Sequence, residues 1–69
     1  MIDKVTLPVA RKIANITQRR LAECCNVSES TVINWEKGRT EPTVSQAQMI
    51  SKATGIPYDK IIFLPKNTV

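Results

Sequence analysis

The side chains best suited to chemistry in this chain fall between residues 29 and 34. Asn34 donates and accepts at once, the pairing that adenine N6 and N7 demand in the major groove of a duplex. Glu29 only accepts, which fits cytosine N4. It equally complements the partial positive charge at a helix N-terminus, an effect of about 0.3–1 kcal/mol. The Ser30 hydroxyl meets almost any base or a phosphate, so it specifies little. Ile33 reaches a thymine methyl or packs as a rim residue on the preceding helix. Arg19 and Arg20 are cations for phosphates or a solvated charge run, and at least one of them is read as the latter. Asn34, too, has a plainer reading as a solvated polar residue.

Covalent and metal chemistry find no comparable footing. The chain has no His, no Ser or Cys nucleophile with a base, no paired carboxylates and no phosphate-cradling glycine loop. Those gaps argue against an enzyme. Cys24 and Cys25 are adjacent, so a disulfide between them would be strained. Without His or a spaced cysteine cluster no metal site is expected, and no cofactor. Reduced thiols point to the cytoplasm. Cys24 is expected to face solvent and Cys25 the core. Neither a basic nor a resolving partner marks Cys24 as a redox site.

Reading base edges requires a short helix held rigidly with one face outward, and the pattern supplies it. A first helix is expected over about 7–14, with Thr6 as cap, Pro8 tolerated in the first turn, and Leu7, Ala10 and Ala14 on one face. Asn15 suits the left-handed residue that ends it. A second helix follows Thr17 over 18–25, with Leu21, Ala22 and Cys25 inward and Asn26 at its end. Ser28 caps a third helix over 29–37, anchored by Val32 and Trp35 and closed by Gly38. Thr43 caps a fourth, with Val44, Ala47, Ile50 and Ala53 along one face and Gly55 at its end. A short fifth helix starts near Pro57 and carries Ile61 and Ile62. The tail from Pro65 is expected to be loose. No run of clean alternation argues for a sheet. Between the second and third helices the turn Asn26-Val27-Ser28 is short, Ala22 is small at the crossing, and Val27 plugs the core. Glu29, Ser30, Ile33 and Asn34, with Lys37 at the end, are left on the outer face. This is a helix-turn-helix arrangement, whose second helix offers its outer residues to the major groove.

Composition agrees with that reading. The 69 residues make one domain, with an ordered core expected over about 6–64, and 42% of residues are apolar. Ten Lys and Arg against six Asp and Glu leave a net charge of +4, which attracts polyanions such as nucleic acid. The longest apolar run, 61–64, is far short of a membrane span or a signal-peptide core.

Thr17-Gln18-Arg19-Arg20-Leu21-Ala22-Glu23, Asn26-Val27-Ser28 and Thr31-Val32-Ile33-Asn34-Trp35-Glu36-Lys37-Gly38-Arg39-Thr40-Glu41-Pro42 resemble the Xre-like family, which includes phage Cro proteins and lambda-type repressors. Ser51-Lys52-Ala53-Thr54-Gly55-Ile56 and Asp59-Lys60-Ile61 match it as well. The resemblance spans about residues 7–62. It implies an all-α, five-helix, lambda-repressor-like domain. It also implies that Glu29, Ser30, Thr31 and Asn34 read bases, Thr31 contacting either base or backbone. Gln18, Arg19, Ser28, Lys37, Arg39 and Thr40 would serve phosphates, and Arg11 and Glu36 would pair between the first and third helices. Glu29 departs from the uncharged residues frequent in close relatives.

The implied function is a sequence-specific regulator of Cro or phage-repressor type acting on a double-stranded operator. The alternative is a protein-interaction module on the same fold, an antirepressor or modulator that grips a repressor. The chain begins with Met1 and shows no second domain, which suits a whole Cro-type protein and an excised repressor domain alike. One recognition helix reads too few bases for a unique site, so a homodimer on DNA is expected. Its surface is drawn from Ile61, Phe63 and Leu64, because Phe63 and Leu64 exceed what the core needs.

Overall fold

A computed structural model of the chain describes residues 4–63. Extended residues open and close this span, and helices fill the middle: β1 (Val5–Thr6), α1 (Leu7–Ile13), α2 (Gln18–Cys25), α3 (Glu29–Glu36), α4 (Val44–Thr54), a 3-10 turn (Tyr58–Lys60) and β2 (Ile61–Ile62). The helices are short because each has its own start and stop. Thr17, Ser28 and Thr43 accept from the backbone N–H three residues on, at Arg20, Thr31 and Gln46. Thr43 and Gln46 satisfy each other's backbone groups reciprocally, a complete capping box. Asn15 and Asn26 take positive φ values of 61° and 58°, which turn the chain out of α1 and α2.

Four sequence expectations change. The fifth helix is absent among the described residues, so there are four α-helices and one 3-10 turn. Pro57 enters that turn extended, and Ile61 leaves it extended at φ −105°, ψ 126°. β-Branched Ile61 and Ile62 suit that backbone. They form a two-stranded parallel sheet with β1, Val5 opposite Ile61 and Thr6 opposite Ile62. A ladder of two residues is too short to leave an alternation signal. Thr6 occupies the cap position of α1, but its side chain makes no capping hydrogen bond. Pro8 has no N–H to offer a cap, and Thr6 is already part of β1. Val44 is exposed instead of inward, because the first turn of α4 projects past the core.

The core joins every element except the 3-10 turn. Leu7 and Ala10 of α1, Leu21, Ala22 and Cys25 of α2, Val32 and Trp35 of α3, Ile50 of α4 and Ile61 of β2 make one cluster. Val5, Ile16, Val27, Ala53, Ile56 and Phe63 pack against it half-buried. Thr54 is the buried polar residue, and its hydroxyl donates to the Ile50 carbonyl at 2.9 Å. Among the described residues no helix is long and apolar enough to cross a membrane. The expected loose tail from Pro65 lies outside the described residues.

Candidate nucleic-acid interface

α3 is fixed at four places. At its start, the Ser28 hydroxyl accepts from the Thr31 N–H at 3.3 Å and lies 3.0 Å from the Thr31 hydroxyl. Behind it, Asn26 turns left-handed and the Val27 N–H donates to the Ala22 carbonyl at 3.0 Å, which seats half-buried Val27 against the core. Beneath it, Val32 and Trp35 are buried. At its end, Gly38 takes φ 75°, and the Arg39 N–H donates back to the Asn34 carbonyl at 2.9 Å. The loop carrying Arg39 is thereby tied to the last turn of α3.

The fifth fixing point is an ionic network. Arg11 of α1 donates through Nε to Glu36 Oε2 at 2.6 Å, with side-chain exposures of 15% and 8%. Gln18 of α2 donates through Nε2 to Glu36 Oε1 at 2.9 Å, and Arg11 Nη1 donates to the Ile16 carbonyl at 3.1 Å. One carboxylate at the end of α3 therefore collects α1, α2 and the loop between them. Partly buried charge-assisted bonds of this kind are short and directional, and they set orientation more than they add stability.

What remains outward is polar. Glu29 and Ser30 are exposed, while Thr31, Ile33 and Asn34 are half-exposed. Lys37, Arg39 and Thr40 follow at once and are exposed. Among the described residues neither Lys37 nor Arg39 has a carboxylate within ion-pair distance. Arg19 and Arg20 instead share Glu23, at 3.8 and 3.3 Å. Helical periodicity puts Glu29, Ser30, Ile33, Asn34 and Lys37 on the side of α3 away from buried Val32 and Trp35, and exposed Arg39 and Thr40 follow in the loop. Thr31 and Ser28 lie at the edge of that surface with their hydroxyls turned to each other. Gln18 stands at the α2 N-terminus with its amide held by Glu36. That second hydrogen bond was invisible in the sequence, because it exists only once α2 crosses α3.

Elsewhere, Cys25 is buried and Cys24 exposed. Burial, and then the neighbouring Cys24, push the Cys25 thiol up from its ordinary range. Cys24 borders a shallow groove of about 270 Å³ with Met49, Lys52 and Ala53. No group of three or more His, Cys, Asp or Glu among the described residues is placed to hold a metal ion. Of the residues assigned to a dimer surface, Ile61 is corrected: it is 6% exposed and belongs to the chain's own core. Its side chain belongs to the core cluster against which Val5 of β1 packs. Phe63 is half-buried, its ring 6.4 Å from that of Tyr58, and Leu64 lies outside the described residues.

A family profile described as helix-turn-helix matches residues 9–61. An uncharacterized HTH-type transcriptional regulator of Methanothermobacter thermautotrophicus is 39% identical over 54 residues, 78% of this chain and 78% of its own length. A second uncharacterized HTH-type transcriptional regulator, from Methanocaldococcus jannaschii, is 36% identical over 58 residues, covering 84% of this chain and 88% of its own length. No solved structure matches the chain.

Proposed function

Because the chain belongs to the Xre/lambda-repressor-like helix-turn-helix family, we propose that it is a DNA-binding transcriptional regulator that reads the major groove with α3. One observation carries this reading. The outer side of α3, with Glu29, Ser30 and Asn34, stands clear of the protein's own interior while Val32 and Trp35 anchor the opposite side. The exposed cations Lys37 and Arg39 flank it, as phosphate contacts must flank base contacts. Gln18, with Arg19 and Ser28, would extend the phosphate contacts at the start of α2 and α3, and Thr31 would serve base or backbone. The printed descriptions of the two archaeal relatives point the same way.

The finer reading is repression of the Cro type in the cytoplasm, on the resemblance carried by residues 17–42. The DNA-bound form is a homodimer on a pseudo-palindrome with half-sites about one helical turn apart. With Ile61 in the core, exposed Tyr58 and Ile62 and half-buried Phe63 are, among the described residues, the apolar side chains at that end of the chain left to meet a second copy.

Selection of bound sequences from random duplex DNA, followed by titration at several salt concentrations, tests the reading. The expected result is an enriched two-fold symmetric site and a log–log salt slope of about −0.9 per phosphate contact. Weak, sequence-blind retention together with binding to a repressor protein would make the chain an interaction module instead. Sedimentation showing a monomer both free and on the enriched site would remove the dimer.

A further inference from the structure

We infer that Glu29 is the specificity-determining side chain of the proposed interface and selects a cytosine in each half-site, an inference that rests on the DNA-binding reading. Among the described residues, the other two helical glutamates are occupied: Glu23 by Arg19 and Arg20, Glu36 by Arg11 and Gln18. Glu29 sits exposed in the first turn of α3, with neither a hydrogen bond nor an ion pair to another described residue. A bare carboxylate carried toward a duplex is repelled by the phosphates, so it lowers binding to every sequence alike. The repulsion is offset only where the carboxylate receives a donor. In the major groove guanine O6 and N7 and thymine O4 are acceptors, and adenine sets N7 beside its amino group. Cytosine presents its N4 amino group as a donor alone. Glu29 therefore favours cytosine and penalises guanine most.

The rest of the surface agrees. Residues 29–36 contain no Lys or Arg, so α3 lacks the cations most used to grip guanine O6 and N7. The Thr31 hydroxyl is engaged with Ser28, which leaves Glu29, Ser30 and Asn34 as the uncommitted polar groups of the outer face. Asn34 matches adenine and Ile33 a thymine methyl, so the half-site combines a cytosine with A·T pairs.

The test compares the full chain with E29Q in selection from random duplex DNA, then measures affinity for the enriched site and its single-base variants. Wild type should enrich cytosine at one position of each half-site. E29Q should lose about fivefold or more of that preference, bind random-sequence DNA more tightly, and keep its other preferences. N34A should shift a different position, and thermal melting of both variants shows that they fold. Guanine or thymine enriched at the position where E29Q differs overturns the inference. So does an unchanged E29Q profile, the result expected if the charge only complements the helix terminus. If wild type enriches no sequence at all, the DNA-binding reading fails and this inference fails with it.

Discussion

At the scale of single residues, a shared surface hides different work. Asn34 and Lys37 lie one turn apart on the same surface, one a neutral donor–acceptor and the other a point charge. N34A should relax preference at one base pair, by about 1–3 kcal/mol, and leave the salt slope alone. K37A should weaken all sequences alike and reduce the slope by about one. Competition binding with single-base variants and a salt series separates them, and a mere loss of stability in both would mean the outward face is misassigned. The adjacent thiols make a second contrast. A thiol-directed alkylating reagent at neutral pH should modify Cys24 in the native protein and Cys25 only after denaturant is added, because burial keeps Cys25 protonated. The sign of the pH effect follows. The unfolded chain gives up the Cys25 proton first, so this contribution to stability is whole below the ordinary thiol pKa. It drains away as pH rises through the higher folded value. Equal reaction rates at the two thiols would show Cys25 to be open to solvent.

At the scale of elements, the helix starts test whether a cap residue is also a cap. T43A removes half of a reciprocal pair and should destabilise by about 1 kcal/mol. T6A occupies the same formal position on α1 but breaks no capping bond, so its melting temperature should stay close to that of wild type. Equal losses would mean that Thr6 does cap in solution. The sequence could name both threonines as candidates, since residue type alone carries the preference. It could not tell them apart, because the difference lies in Pro8 and in the pairing of Thr6 with β2. The same limit applies to Gln18, whose position at a helix start was legible and whose engagement by Glu36 was not.

At the scale of the whole molecule, Ile61 joins the chain's own core where part of a partner surface was anticipated. A fold of this size has little core to lose. I61A should therefore cost about 2–5 kcal/mol in chemical denaturation, with the loss independent of protein concentration. A concentration-dependent loss would return Ile61 to a subunit interface. The misreading has a physical cause. An apolar run near a chain end looks the same whether it pairs with the chain's own start or with another copy. The return of β2 alongside β1 is what gives Ile61 a place in the chain's own core.

Helix starts and stops, the inward set Leu21, Ala22, Cys25, Val32 and Trp35, and the outward set on α3 follow from local rules. Caps act within one turn, and helical periodicity assigns faces without knowledge of neighbours. Contacts between residues far apart in the chain belong to the tertiary structure alone: Val5 opposite Ile61, Gln18 on Glu36, and a 3-10 turn where a fifth helix was expected. Their energies depend on which surfaces meet, and a linear pattern of residue types does not contain that information.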